Sequence, residues 1–206
     1  MAILRVVLES GIDVEVNSGG ELFKALRVGF RPEQIIFNGT SKSDDELDDA
    51  VRAGIYAINV DSIYEIDLVE QSVERLRARG EQVARARITL RLVPEIGTRS
   101  HLGLQTALLT SKFGISSSEV LAAFRRGLER PDLVNVCGIH IHVGSQTPDV
   151  EPFAEAFRSM RDTLEAPGRS GTFLQGCRHC IEAVTQCQTT RDCRQCVVHV
   201  RWTNQW

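Results

Sequence analysis

The chain has 206 residues, is 42% hydrophobic and 25% charged, and carries a formal net charge of −3. There is no basic excess of the kind a nucleic-acid footprint needs, and no apolar run approaches the roughly 18 residues of a membrane span. What remains is an ordinary globular protein of one or two domains, able to bury one sizeable core. The first residues, Met1 to Glu9, are charged too early for a secretion signal, so a cytoplasmic location is expected.

In chain order, residues 3–10 read as the end of a helix closed by Gly11, and residues 13–17 as a short alternating strand. Ser18 opens a helix that runs to Gly29. Residues 34–38 form the next strand, residues 43–53 the next helix, ending at Gly54, and residues 56–60 a further strand. The longest helix starts at Ser62, where Ile63, Ile66, Val69, Val73 and Leu76 make one apolar stripe, and Gly80 closes it. A strand over residues 88–93 stops at Pro94, and a long loop reaches Gly114. A helix over residues 116–130, a strand carrying His140 and His142, and a helix over residues 150–164 complete the regular part.

Ser18/Glu21, Ser43/Glu46, Ser62/Glu65 and Ser116/Glu119 are each S-x-x-E, the capping box that satisfies orphan N–H groups at a helix start. Each follows a strand or loop, so the repeating unit is strand, turn, capped helix. That order implies parallel strands with right-handed crossovers, in a (β/α) barrel or a doubly wound sheet. No G-x-G-x-x-G follows a strand, which favours the barrel.

Residues 138–146 hold the densest chemistry. Alternation places His140 and His142 on one strand face and Ile139, Ile141 and Val143 on the other. Gly144 and Ser145 then break the strand where backbone can approach a ligand closely. The pattern fits a cofactor-handling strand end and equally a buried strand whose histidines bond internally.

Five stretches, taken together and in order, resemble one known family. They are Val16-Asn17-Ser18-Gly19-Gly20-Glu21-Leu22, Lys42-Ser43-Asp44-Asp45-Glu46-Leu47, Ile58-Asn59-Val60-Asp61-Ser62, Ser111-Lys112-Phe113-Gly114-Ile115, and Gly138 to Gln146. The set is similar to motifs of the pyridoxal-phosphate-dependent, barrel-type decarboxylases that act on diaminopimelate, ornithine and arginine, with the diaminopimelate branch nearest. The resemblance covers residues 2 to about 165 and implies a partial (β/α)8 TIM barrel of the alanine racemase-like type. It also implies residue roles. His142 would stack on the pyridoxal ring and Ser145 would bond the cofactor phosphate. Arg91 would stand near the cofactor as a fixed positive charge. Glu15 falls where the family usually carries Asp. Arg91 paired to a barrel carboxylate, and Glu15 capping a strand end, are the structural alternatives. Lys112 and Glu21 read as a loop anchor and a helix cap.

The resemblance further implies a cofactor-bonding lysine on the first barrel strand, in a Tyr-x-x-Lys-Ala-type motif that would precede Met1. The chain's only lysines, Lys24, Lys42 and Lys112, fall in a helix, a helix-entry loop and the Ser-Lys-Phe-Gly motif, and none substitutes for it. A glycine-rich phosphate loop, an acid facing the pyridine nitrogen and a C-terminal β domain are also expected in the family and not seen here. The expectation is a fragment holding about five of eight barrel strands. It would have little or no decarboxylase activity alone, and exposed strand edges suited to homodimerisation or to pairing with a complementary chain.

Residues 169–206 do not continue the pattern. Five of the six cysteines and both tryptophans lie in the last thirty residues. Cys177-x-x-Cys180 and Cys193-x-x-Cys196 have the spacing of a tetrahedral zinc site. The segment shows little hydrophobic periodicity, however, and starts where the next barrel strand should stand. An irregular tail, disordered or nearly so and produced by a shifted reading frame, is expected rather than a zinc ribbon, so no metal is expected. Disulfides are not expected in a cytoplasmic setting. Two rivals stand beside the decarboxylase: an amino-acid racemase of the same fold, and a non-catalytic binding or assembly protein with a zinc-binding tail.

Overall fold

The computed structural model describes residues 1–93, 113–143, 150–165, 181–186 and 197–202. The chain divides into two compact units, Met1–Thr89 with Phe124–Val136, and Leu90–Ala123 with Cys137–Trp206.

The first unit opens with helix α1 (Ala2–Glu9), followed by strand β1 (Val14–Val16), helix α2 (Gly19–Val28) and strand β2 (Ile35–Phe37). Helix α3 (Asp44–Ala53), strand β3 (Ala57–Val60) and helix α4 (Ile63–Ala78) complete the alternation, which then enters strand β4 (Ala86–Leu92). These are the segments the sequence predicts, with ends displaced by one or two residues. β1 pairs in parallel with β2 through Val14↔Ile35 and Val16↔Phe37, and β2 with β3 through Phe37↔Ile58. On one face of this layer Val16, Ile35, Phe37, Ile58, Val60 and Ile88 are almost fully buried, as are Leu22, Leu47, Ile66 and Val69 on the helices. α2 packs on β1 and β2, and α4 packs on β3 and against α3.

Three of the four predicted helix starts behave as read; at the fourth the helix begins only at Val120, and the Ser116 hydroxyl donates to Glu119 Oε2 at 2.7 Å. Ser18, Ser43 and Ser62 each accept the backbone N–H of the glutamate three residues on. Glu46 closes the reciprocal half by accepting the Ser43 N–H at 3.0 Å. Glu21 and Glu65 reach one residue further back, to the N–H of Asn17 and of Asp61, both at 2.7 Å. α3 stops at Gly54, whose φ of +66° lies in the left-handed region that glycine enters without a Cβ penalty.

The second unit contains the ends of β4 and of strand β5 (Val134–His142), helix α6 (Glu151–Glu165), and strands β6 (Ile181–Gln186) and β7 (Val197–Trp202). Helix α5 (Val120–Leu128) begins here and ends in the first unit. β7 pairs antiparallel with β5, with Ile139 opposite Val200 and His142 opposite Val197, and β6 pairs antiparallel with β7. Where the sequence reading expects an irregular tail, β7 lies against β5 and β6 against β7, both pairings antiparallel. The cysteines of the tail lie outside the described residues.

Candidate active site on the polar strand faces

The strands that pack apolar side chains on one face carry polar ones on the other, where β2 also places apolar Ile36. In the first unit the polar residues are Glu15 on β1, Asn38 just past β2, Asn59 on β3 and Thr89 on β4. Asn38, Asn59 and Thr89 are buried, at 7%, 1% and 5% exposure. Asn38 Nδ2 donates to Glu15 Oε1 at 2.9 Å, and Asn59 Nδ2 donates to Asn38 Oδ1 at 2.9 Å. Thr89 Oγ1 donates to Asn59 Oδ1. A row of side-chain hydrogen bonds thus crosses β1, β2, β3 and β4. A buried amide costs free energy unless bonded, and these amides are bonded on both sides.

Lys42 supports that row from the loop before α3. Its side chain is fully buried, and Nζ donates to the Asn59 carbonyl at 2.7 Å and to Glu65 Oε1 at 2.9 Å. It also stands 5.6 Å from the centre of the Phe37 ring. Lys42 therefore ties the loop after β2 to β3 and to the start of α4, and its ammonium is committed there. Lys24 is exposed on α2, and Lys112 lies outside the described residues.

In the second unit Arg91 lies on the face of β4 opposite Leu90 and Leu92 and is buried. Its guanidinium sits 5.6 Å from the centre of the Phe113 ring. The Phe113-Gly114-Ile115 segment is stitched to the end of β4: Ile115 N–H donates to the Arg91 carbonyl at 2.7 Å, and Val93 N–H to the Ile115 carbonyl at 3.0 Å. Gly114 is required there. Its φ is +97°, and a Cβ would meet Val93 Cγ2 at 3.1 Å and the Arg91 carbonyl at 3.3 Å. On β5, Ile139 and Ile141 are buried on one face; on the other, His140 is wholly buried and His142 half-buried at the strand end. Both faces are covered, as in a parallel sheet with packing on each side. Ser145 lies outside the described residues.

Of the residues singled out from sequence, Arg91 falls on the face of β4 opposite Leu90 and Leu92, His142 on the face of β5 opposite Ile139 and Ile141, and Glu15 on the face of β1 opposite Val16. Glu21 is the helix cap expected. Sequence reasoning passed over Asn38, Asn59, Thr89 and the Lys42–Glu65 pair. The available signal was asparagine inside or beside β-branched runs, in Ile-Ile-Phe-Asn-Gly and Ile-Asn-Val, since strands are depleted in Asn unless something holds it.

Parallel strand–turn–helix units with apolar outer faces and polar inner ones define part of a (β/α)8 barrel with its chemistry carried on strand ends. Residues 1–175 match the family described as pyridoxal-dependent decarboxylase, pyridoxal binding domain, and the chain belongs to that family. Among its relatives, diaminopimelate decarboxylase of Methanocaldococcus jannaschii is 35% identical over 164 residues, covering 79% of this chain and 36% of that protein. The Neisseria meningitidis diaminopimelate decarboxylase is 32% identical over 175 residues, 85% of this chain and 41% of that protein. The crystal structure of diaminopimelate decarboxylase from Helicobacter pylori complexed with L-lysine superposes with a TM-score of 0.73 at 29% identity, covering 79% of this chain and 40% of that one. The chain thus spans about two fifths of the length of the proteins it resembles.

Among the described residues no helix is long and apolar enough to cross a membrane, and no cluster of His, Cys, Asp and Glu could hold a metal ion.

Proposed function

We propose that this chain is the cofactor-holding part of a pyridoxal-phosphate-dependent amino-acid decarboxylase that acts on diaminopimelate in lysine biosynthesis, in the cytoplasm. The observation that carries the reading is the pair of strand faces opposite Leu90 and Leu92 of β4 and Ile139 and Ile141 of β5, where Arg91 is a buried cation and His142 a half-buried imidazole at the strand end. A fixed cation and a flat, partly exposed ring are the donor set that an aromatic, anionic ligand calls for, so the residues present fit pyridoxal phosphate. His142 would lie against the pyridine ring, Ser145 would donate to the phosphate, and Arg91 would supply a fixed charge. Glu15 would serve the cofactor site from the position where the family usually carries Asp, close to the cofactor-bonding lysine. When bound, the cofactor supplies an electron sink for the bond to the departing carboxylate.

No lysine of this chain is assigned a bond to the cofactor, because Lys42 is committed to Glu65 and Asn59 and Lys24 faces solvent on a helix. Little or no decarboxylation by the chain alone is expected; a second copy would pair exposed strand edges, and only a complementary chain would bring the lysine. Residues 1–168 are the part proposed to do this work, and residues 169–206 an appendage to it.

Equilibrium titration of the purified chain with pyridoxal phosphate tests the reading. Saturable binding that weakens in His142→Ala and Arg91→Met supports it, and equal binding by all three proteins sinks it. Borohydride trapping followed by peptide mapping tests the lysine assignment. Stoichiometric label on Lys24, Lys42 or Lys112 would overturn that part.

A further inference from the structure

We infer that Asn38, Asn59 and Thr89 are positioning residues that act as one chain, aimed at Glu15. The directions of their bonds follow from elementary donor–acceptor chemistry. An ionised carboxylate only accepts, so Asn38 must offer its NH2 to Glu15. That turns the Asn38 oxygen toward Asn59 and obliges Asn59 to offer its own NH2 in turn. The oxygen of Asn59 is then left for Thr89, whose hydroxyl has one proton and must give it. All three bonds point the same way, from β4 to β1, and the last of them ends on the Glu15 carboxylate. Hydrogen bonds aligned head to tail polarise one another, by about 10–30% per bond in condensed phase, so the last donor in the row is stronger than an isolated amide.

The row is also anchored from behind. Asn59 is held at its backbone carbonyl by buried Lys42, which is itself fixed by Glu65. Glu15 is the half-buried member and the one with a long, flexible side chain; its partners are buried and immobilised. The arrangement therefore converts three rigid polar groups into a single preferred placement for one carboxylate. This inference rests on the proposed function only for its purpose, which is to hold Glu15 fixed at the position where the family carries its acid.

The test uses the whole chain with 15N-labelled asparagine and no ligand, following the side-chain NH2 resonances. Thr89→Val removes the most remote donor and nothing that touches Asn38. The expected result is a shift of both the Asn59 and Asn38 side-chain amides, with Thr89→Ser restoring the native positions. Glu15→Gln, at the opposite end, should shift the same two amides. An Asn38 amide that ignores Thr89→Val in a folded protein overturns the inference, because independent structural bonds would not transmit the change. If Thr89→Val does not fold, Glu15→Gln reads the same coupling from the exposed end, and an unmoved Asn59 amide there is equally fatal. Where pyridoxal phosphate binds, its affinity should fall about tenfold in Thr89→Val, the loss of roughly one well-placed hydrogen bond. Coupled amides in a chain that binds no pyridoxal phosphate would support the positioning row while sinking the cofactor reading.

Discussion

The two faces of the strand layer in the first unit are built on opposite principles. The outer face carries Val16, Ile35, Phe37, Ile58 and Val60 against the helices, non-directional contacts that any similar set of apolar volumes could supply. The inner face carries Glu15, Asn38, Asn59 and Thr89, each bonded to a specific neighbour. Burial on the outside stabilises in proportion to area. On the inside a bonded amide gains little over its bonds to water, and loses much if one partner is removed. A fold that needed only stability would have placed valine or isoleucine at the inner positions too. The difference separates a face built for packing from one built for directional bonds.

The largest break in that contrast is expected at Lys42. Lys42→Met leaves Glu65 buried without its cation and removes the tie to the Asn59 carbonyl. A cost of about 3–5 kcal/mol follows from stranding a buried charge. Lys42→Met with Glu65→Leu, which removes both charges, should recover most of it in denaturant unfolding. A double variant as unstable as the single one would refute the charge account.

On the outer face the comparison sharpens with Ile58→Ala, which should cost about 2–5 kcal/mol through lost transfer energy and the cavity left behind. Its effect should be confined to stability. The chain's affinity for pyridoxal phosphate, corrected for the folded fraction, should stay unchanged, whereas the inner-face Thr89→Val should lower affinity as well as stability. Equal partition of the two effects in both variants would erase the distinction between the faces.

A third contrast lies between the helices, where Asp48 on α3 receives Arg75, Arg79 and Ser72 of the α4 segment. Burial opposes ionisation of Asp48, but the hydrogen bonds from Arg75 and Ser72, with the charges of Arg75 and Arg79, outweigh it and hold its carboxyl below its ordinary value of 3.8. A group with a depressed folded value stabilises fully above its unfolded value. That stability is lost as pH falls through the lower folded one. Thermal midpoints followed from about pH 6 down to about pH 2 should drop less steeply in Asp48→Asn than in the native chain. Glu46, also held below its ordinary value by the Gly19 and Ser43 N–H groups, titrates in the same range, so some acid dependence should persist.

How legible these features were depends on how local their cause is. The strand–helix alternation, the Ser-x-x-Glu caps and the stop at Gly54 are set by residues within one turn of one another, and sequence shows them directly. Arg91 and His142 were found through ordered motifs, and their placement opposite the leucines of β4 and the isoleucines of β5 follows from strand alternation. The Asn38–Asn59 bond joins residues 21 apart in sequence and the Lys42–Glu65 pair 23 apart. Neither has a periodicity of its own, and only strand register brings the partners together. The tail was legible least. Val197–Trp202 has β-branched residues but no turn or cap to announce it, and its pairing to β5 depends on a neighbour more than fifty residues earlier in sequence.

The smallest expected effect tests the local end of that scale. Ser43→Ala removes the oxygen that accepts the Glu46 N–H at the start of α3, a change that costs about 1 kcal/mol at a typical N-cap. Here the reciprocal partner does more than close the box. Glu46 Oε1 also accepts the Gly19 N–H at 2.7 Å, so one carboxylate satisfies orphan donors on α2 and α3 together. In Ser43→Ala that second bond survives, and the loss should stay near the usual value for one cap. Glu46→Ala removes both connections and leaves the Gly19 N–H needing another acceptor, so it should cost more than Ser43→Ala although it is the less conspicuous half of the motif. If chemical denaturation ranks the two variants the other way, the bridge between the helix starts contributes nothing, and the capping boxes are independent ends rather than links between successive units.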